Sequence, residues 1–479
     1  MLDQRSTAVT DIPLVVDLDG TLIKVDSLHE AYVQLASTKP ELALRVLFTL
    51  WHGRAAFKAA VADHGAPDVE SIPVNESVLE VIKQAKSDGR RVYLATAADR
   101  RFAEAISSFY GFFDGIFATD GEINLKGKAK EVRLLNAFGA HGFDYIGNDL
   151  SDIPVWQSAR TALVCGAPPR VVRIIHKELP AAVVLDVPAF SLRPYFLSLR
   201  PHQWIKNVLI ALPAIAAHDF NISILVTVLI AFVSFSLGAS GVYLVNDMLD
   251  VPHDRTHARK RHRPIAAGTV PLSHAVILLG LVASLSIALA FMLPWGFLAV
   301  LIAYFGLSMC YTLYLKRKLM IDVVALAALY GIRVLAGGAA TTTILSHWLV
   351  GFGFFIFLNL ALVKRVTEMM TLPQDSVEKI KGRGYRRADL QTMTGLTAAA
   401  GFVSVLVLAL YINSPEVGAL YRHPELLWGI CVILVYWLGR VCLLTGRGEM
   451  EQDPILFAVT DRISLLAGLL VIAVFLVAL

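Results

Sequence analysis

"YLVNDMLDVPHDRTHARKRHRPIAAG", residues 243 to 268, ends an apolar run and at once sets down Asp247, Asp250 and Asp254, followed by Arg255, Arg259, Lys260, Arg261 and Arg263. Offsets of three and four return to the same side of a helix, so the spacing predicts three carboxylates on one face. Carboxylates that close repel unless something neutralises them. At a membrane mouth the usual solution is a hard divalent cation such as Mg2+, held by the carboxylates and completed by phosphate oxygens. The stretch therefore predicts a site for a diphosphate. Pro252 removes one backbone hydrogen bond and is expected to loosen the helix, letting Asp254 swing toward the metal. Lys260, Arg261 and Arg263 are candidates for phosphate charge that metal leaves uncovered. Ordinary interfacial charges would account for the cations alone. They would not require aspartates at helical spacing, and ionisable groups at this depth are functional candidates.

The chain around this stretch has 479 residues, 56% hydrophobic and 17% charged, with a mean hydropathy of +0.60. That is too apolar for an ordinary soluble protein of this size. The excess is uneven: residues 1 to about 190 mix charge and hydrophobe, whereas long uncharged runs begin near residue 202. Two domains are expected, 1–190 and 191–479. A bilayer core takes roughly 20 apolar residues per helix. About nine runs qualify, near 202–218, 221–245, 273–293, 296–315, 321–340, 346–364, 391–412, 424–444 and 462–479. The connections alternate between nearly cation-free and basic ones. The positive-inside rule places the basic connections and the N-terminal domain in the cytosol and the C-terminus outside, in a cytoplasmic (inner) membrane. The segment 190–204, "FSLRPYFLSLRPHQW", mixes aromatics with Arg193 and Arg200 and reads as interfacial. The N-terminus has acidic residues and no apolar core before a cleavage site, so no signal peptide is expected. The four cysteines have neither zinc nor disulfide spacing. The net charge of +4 is small, and no nucleic-acid partner is expected.

Residues 12–24, "IPLVVDLDGTLIK", read as a buried strand whose end carries Asp17 and Asp19, two apart, into the crevice where open α/β sheets place ligands. "RRVYLATAADR" (90–100) is a second strand with Thr96 at its end, and "NLKGKAKEVRLL" (124–135) offers a lysine. Lys130, which opens a helical stretch, is favoured over Lys126 and Lys128. The segment from about 23 to 77 is helical in character and forms a small cap. These stretches resemble the haloacid dehalogenase superfamily, mostly phosphatases. The resemblance implies Asp17 as phosphoryl nucleophile, Asp19 as general acid/base, Thr96 as phosphoryl-binding hydroxyl and Lys130 as the neutralising cation. In "FDYIGNDLSDIPVW" (143–156), aligning Gly147 with the family glycine puts Asn148 at the first acidic position and Asp152 at the second, with Asp149 beside them. A Mg2+ site on this domain would draw on Asp17, Asp19, Asn148, Asp149 and Asp152. The alternative is a degenerate domain kept as a scaffold; Asp17, Asp19, Thr96 and Lys130 together favour an active one.

The C-terminal part resembles the UbiA superfamily of intramembrane prenyltransferases, whose Asn-Asp-x-x-Asp-x-x-x-Asp motif matches Asn246, Asp247, Asp250 and Asp254. More narrowly, "LRPHQWIKN" (199–207), "KRHRPIAAG" (260–268), "IDVVALAALYGIRVLAGG" (321–338) and the pair Lys364 and Arg365 look like the branch that transfers phosphoribose to decaprenyl phosphate. The family's second Asp-x-x-x-Asp cluster is broken, since Asp322 is followed four residues later by Leu326. An N-terminal α/β Rossmannoid domain with a helical cap, joined to an all-α bundle of about nine spans, is therefore expected. The resemblance implies transfer of 5-phosphoribose from phosphoribosyl pyrophosphate to a polyprenyl phosphate, for cell-wall or glycolipid synthesis. Mg2+ would lie on Asp247, Asp250 and Asp254, Lys206, Lys260, Arg261 and Arg263 would contact phosphate, and Asn246 would orient a metal ligand or ribose hydroxyl. Asp322 belongs to the second site, where Arg333 is either a phosphate ligand or the partner of Asp322. Arg440 is expected to pair with a carboxylate such as Asp461. The basic loop 365–387 reads as a lid, a lipid-headgroup anchor or a solvated face. Hydrolysis of the lipid-linked product by the soluble domain would pull transfer forward. Two rivals remain: a conventional prenyltransferase moving an isoprenoid from its diphosphate to an aromatic or lipid acceptor, and an ion-coupled transporter with a regulatory soluble domain.

Overall fold

The computed structural model describes residues 12–65, 68–119, 124–187, 191–373, 383–450 and 453–479. The expectation about a leader falls largely on residues 1–11, and that about the basic loop partly on 374–382; both segments lie outside the described residues. The chain divides into two compact units, Met1–Arg200 with Tyr243–Gly280, and Pro201–Val242 with Leu281–Leu479.

In the first unit, six parallel strands, β1 (Leu14–Val16), β2 (Val92–Asp99), β3 (Gly115–Thr119), β4 (Asp144–Gly147), β5 (Thr161–Cys165) and β6 (Val183–Asp186), lie in the order β3-β2-β1-β4-β5-β6. A central parallel strand is covered on both faces and so reads as an unbroken apolar run; Leu14, Val15 and Val16 are all buried. After β3 the chain returns to the opposite side of β1 to add β4. The order therefore reverses between β1 and β4, which opens a crevice at their carboxyl ends. The cap is a group of short helices, α1 (Ser27–Thr38), α2 (Pro40–Leu47) and α3 (Arg54–His64). Asp26 starts α1 by accepting from the Leu28 and His29 amides at 3.0 and 3.1 Å. Ala31, Leu35, Ala43, Val46 and Val61 bury the cap's inner faces together with Phe102. Five more helices cover the sheet, α4 (Glu76–Ser87), α5 (Arg100–Tyr110), α6 (Lys128–Phe138), α7 (Ile153–Ser158) and α8 (Pro169–Glu178), and α9 (Arg193–Ser198) follows. The capped α/β domain is as the sequence predicts.

The remaining helices are α10 (Leu212–Ala216), α11 (Ile222–Leu249), α12 (Val251–Thr256), α13 (Leu272–Ala290), α14 (Trp295–Leu313), α15 (Ile321–Thr341), α16 (His347–Met370), α17 (Leu390–Ile412), α18 (Pro415–Leu420), α19 (Trp428–Gly446), α20 (Pro454–Thr460) and α21 (Arg462–Ala478). Among the described residues, seven helices are long and apolar enough to cross a membrane, or eight if α20 and α21, bent by 78°, form one span. The chain is thus a multi-pass membrane protein, and the expected nine spans are an approximation. The difference lies at 202–218, where Pro201–Ala211 winds as 3-10 helix before the five-residue α10. Pro213 removes a helical hydrogen bond there, and Lys206 and Asn207 are buried polar groups that need partners. Close packing of α15 relies on a small residue: a Cβ on Gly337 would meet the Ile210 carbonyl oxygen at 2.1 Å.

The aspartate stretch departs from a single helical face. Helix α11 ends at Leu249, Asp250 takes φ −88° and ψ 0°, and α12 begins with proline in its first turn. Pro252 has no N–H to donate to the Met248 carbonyl, which interrupts the helical ladder here. Two backbone bonds still bridge it, from Asp250 N–H to the Asn246 carbonyl and from Asp254 N–H to the Asp250 carbonyl, each at 2.8 Å.

Candidate functional site

The crevice beyond β1 and β4 is a cavity of about 270 Å3 lined by Asp17, Asp19, Thr96, Lys130, Asn148 and Asp152, with Asp149 at its edge. The expected residues of this domain are therefore brought together. Lys130 Nζ donates to Asp17 Oδ1 and to Tyr145 Oη at 2.8 Å, and reaches Asp152 Oδ1 at 3.4 Å. Of its rivals, Lys128 pairs with Glu131 at 2.6 Å, while Lys126 also lines the cavity but only approaches Asp149, at 3.8 Å. Burial pushes the Asp17 carboxyl up to about 6 against the pull of Lys130. Burial lowers the Lys130 ammonium, but Asp17 and Asp152 outweigh it and hold the charge. Asp19 accepts from the Ser27 amide at 2.8 Å. Burial, then the nearby Asp26 charge, push its carboxyl up to about 7, the range suited to a general acid/base.

Asp152 acts through others: Oδ1 accepts from Tyr145 Oη at 2.9 Å and Oδ2 from the Asn148 and Asp149 amides at 3.2 Å. Asp149 caps its own turn through the Leu150 amide at 2.7 Å. Thr96 is buried and accepts from the Ala98 amide at 3.0 Å. Gly20 has φ +73°, and a Cβ there would fall 2.1 Å from Asn148 Nδ2, so the asparagine closes directly over the turn after Asp19. Asp17, Asp19 and Asn148 offer hard oxygens to one crevice, a donor set that suits Mg2+. Among the described residues no three His, Cys, Asp or Glu side chains form a metal-binding group, so phosphate and amide oxygens would have to complete the shell. Tyr145 was not foreseen; it lies on a strand whose alternation reads simply as core.

In the aspartate stretch, Asp247 pairs with Arg200 and with Arg263 Nη1, the latter at 3.2 Å, and the same Nη1 reaches Asp254 Oδ2 at 2.5 Å. Two buried carboxylates thus share one cationic atom. Burial pushes the Asp254 carboxyl up despite Arg263. A position flanked by hard anionic oxygens and already taken by a positive nitrogen fits a divalent cation. Asn246 and Asp250 are half-buried beside it, while Lys260 and Arg261 are exposed, Arg261 Nε reaching His262 at 3.4 Å. Arg200 reads in the sequence only as an interfacial cation; its pairing across 47 positions carries no local signal.

In the second unit, Lys206 Nζ pairs with Asp453 at 2.5 Å and lies 5.9 Å from the Tyr330 ring centre. Asn207 accepts from Arg333 Nε at 2.8 Å and donates to Ser236 Oγ at 2.9 Å. The Arg333 guanidinium stands over Phe235 and Tyr304, at 5.5 and 5.4 Å. Arg333 is not the partner of Asp322. That carboxylate, fully buried, pairs with Arg365 at 2.7 Å and accepts from Tyr385 Oη at 2.5 Å, with Arg383 at 3.7 Å. Arg383 also bonds Glu368 at 3.0 Å, so this described part of the basic loop is fastened to α16 and is not a solvated face. Arg440 pairs with Asp461 at 2.7 Å as expected.

The UbiA prenyltransferase family model matches residues 207–463, more than half of the chain. The chain belongs to the UbiA prenyltransferase family and is a membrane transferase with a capped α/β domain before the bundle. It is 34% identical over 475 residues, 98% of its length and 91% of the relative's, to an uncharacterized protein, y4nM, of Sinorhizobium fredii. It is 39% identical over 196 residues to the decaprenyl-phosphate phosphoribosyltransferase of Mycobacterium tuberculosis, covering 39% of this chain and 64%, under two thirds, of that enzyme. Among solved structures, a UbiA homologue from Archaeoglobus fulgidus bound to GPP and Mg2+ aligns with TM-score 0.45 and 16% identity over 59% of this chain and 99% of that one. A HAD family hydrolase from Salmonella enterica aligns with TM-score 0.27 and 15% identity over 38% of this chain and 71% of that one.

Proposed function

We propose that the bundle transfers 5-phosphoribose from phosphoribosyl pyrophosphate to a polyprenyl phosphate of the decaprenyl type, and that the soluble domain then removes the 5-phosphate from the lipid-linked product. The observation that carries the first half is the convergence of Asp247 and Asp254 on one cationic position, in a chain whose second aspartate cluster is replaced by a closed Asp322–Arg365–Tyr385 group. The likeness to a decaprenyl-phosphate phosphoribosyltransferase supports the same donor and acceptor.

In the transfer, the bond from the ribose anomeric carbon to pyrophosphate breaks and a lipid phosphate oxygen bonds to that carbon. Asp247, Asp250 and Asp254 would hold Mg2+, which as a Lewis acid supplies charge neutralisation on the departing pyrophosphate. Arg263, held between two carboxylates, exchanges that partner for phosphate. Lys260 and Arg261, exposed on the same loop, meet the outlying phosphate charge, and Asn246 orients a ligand or a ribose hydroxyl. In the soluble domain, Asp17 attacks phosphorus, Lys130 and Thr96 hold the phosphoryl oxygens, and Asp19 protonates the leaving ribose oxygen and then deprotonates water. Asp17, Asp19 and Asn148 would hold that domain's Mg2+, with Asp152 positioning Lys130. The protein resides in a cytoplasmic membrane with this domain on the cytosolic side.

Membranes carrying the full chain, given Mg2+, polyprenyl phosphate and labelled phosphoribosyl pyrophosphate, are expected to yield labelled lipid. The Asp17→Asn variant is expected to leave one more phosphate on it. Labelling from prenyl diphosphate instead would overturn the transferase half, and an unchanged phosphate count would overturn the phosphatase half.

A further inference from the structure

The cap carries apolar residues on two sides. Ala43 and Val46 of α2 pack inward, while Leu44, Leu47, Phe48, Leu50 and Trp51 face outward, Phe48 65% and Trp51 88% exposed. The Phe48 and Trp51 rings meet edge to face at 6.2 Å. A helix apolar all round needs a cover on its outer side as well, and a cluster of this kind on a surface marks an interaction site. Exposed Lys39 and Arg45 flank it, against one nearby acid, Glu41. Tryptophan, phenylalanine and leucine with scattered cations are the composition of segments that lie in a membrane interface.

The same unit shows what is close enough to provide the cover. Glu30, in the first turn of α1, receives both terminal nitrogens of Arg255 at 2.7 and 2.9 Å, and Arg255 Nε donates to the Ala266 carbonyl at 2.8 Å. Arg255 stands six residues beyond the end of α11, a helix long and apolar enough to cross a membrane. Gly268, with φ +74°, brings the same loop against the cap's base, where a Cβ would lie 3.1 Å from Val25 and 3.4 Å from Pro73. From Glu30 the chain reaches Phe48 through the rest of α1 and all of α2, at most about 30 Å of path at 1.5 Å per helical residue. Tyr32 Oη donates to the Ala43 carbonyl at 3.3 Å and closes α2 onto α1. The cap is therefore clasped to the end of a membrane helix, with its apolar tip a short distance away.

We propose that Leu44, Leu47, Phe48, Leu50 and Trp51 form a lipid-docking surface, seated in the interfacial layer of the membrane that the protein spans. This goes beyond the transferase and phosphatase readings and rests on neither.

The test replaces Trp51 by the photoreactive aromatic p-benzoylphenylalanine in the full chain, reconstituted at one copy per phosphatidylcholine and phosphatidylglycerol nanodisc. The same replacement at Trp295, exposed at the start of α14, is the positive reference, and at Phe109, exposed on α5, the negative one. After irradiation and digestion, mass spectrometry is expected to find lipid adducts at position 51 at a yield within about threefold of position 295 and at least tenfold above position 109. A cross-link from position 51 to another peptide of the same chain overturns the proposal, as does a yield no higher than at position 109. Adducts that appear only in discs holding two copies, as cross-links between chains, overturn it in favour of self-association.

Discussion

Glu30 and Arg255 form a bidentate pair whose side chains are 5% and 6% exposed, and that enclosure sets the size of the expected effect. Removing one member of a buried pair strands the other charge and costs roughly 3–5 kcal/mol. Glu30→Gln keeps the shape of the side chain but leaves the Arg255 guanidinium without its counter-charge, so the lower end, about 3 kcal/mol, is expected. Since about 1.4 kcal/mol is a factor of ten, amides of α1 whose exchange passes through opening of this contact should exchange about a hundredfold faster. Hydrogen exchange read by mass spectrometry on the full chain in nanodiscs resolves residues 27–38 and 251–256 from the sheet. The acceleration is expected in those two segments and not in β1 or β2. Arg255→Met should do the same. Glu30→Met combined with Arg255→Leu removes both charges, and because an apolar pair of similar volume is often neutral, exchange should return to within about tenfold of the wild type. Single variants whose segments exchange within threefold of the wild type would refute the reasoning that the clasp holds the cap.

Lys130→Met leaves Asp17 and Asp152 facing each other in a buried site. A loss of about 3–5 kcal/mol in domain stability, measured by denaturant unfolding of residues 12–187 within the full chain, should accompany at least ~10²-fold loss of phosphomonoester hydrolysis. Asp144, buried at the amino end of β4, is bonded to Arg160 at 2.9 Å and to Arg90. Burial raises its carboxyl, but those arginines more than offset it and hold it below its ordinary value. The stabilisation is therefore complete above the unfolded carboxylate range and is lost as pH falls through the depressed folded value. The wild type should lose stability on acidification below about pH 4 more steeply than Asp144→Asn, as followed by tryptophan emission. Gly337→Ala should destabilise the bundle by about 1–3 kcal/mol through overpacking against the Ile210 carbonyl, visible as a lower midpoint in thermal aggregation; an unchanged midpoint would show that α15 can shift.

Much of the site was legible because its information is local. Asp17 and Asp19 stand at one strand end and line one cavity, while Asp247 and Asp254, on either side of the helix break, both reach Arg263. What distance along the helix forbids was misjudged once: Arg333 lies eleven residues after Asp322, about 16 Å along the axis at 1.5 Å per residue, too far for pairing. The break at Asp250 was foreseen in kind through Pro252, but not in position. Partners far apart in the chain leave no trace in a single sequence: Glu30 meets Arg255 across 225 positions and Lys206 meets Asp453 across 247. One oxygen of Asp453 caps α20, accepting from the Ile455 amide at 3.1 Å, while the other takes the distant Lys206. The segment 202–218 is apolar enough to span, and only its prolines and buried polar side chains turn it into 3-10 helix.

The central claim is that Asp247 and Asp254 share a cation position that serves a departing pyrophosphate. It is tested most directly by turnover of labelled phosphoribosyl pyrophosphate with polyprenyl phosphate, over a Mg2+ titration, in the wild type and in Asp247→Asn and Asp254→Asn. Mg2+-dependent labelling of lipid that falls at least ~10²-fold in each variant, with the bundle still folded by hydrogen exchange, is the predicted result. Labelling that survives both substitutions, or that ignores Mg2+, would contradict it.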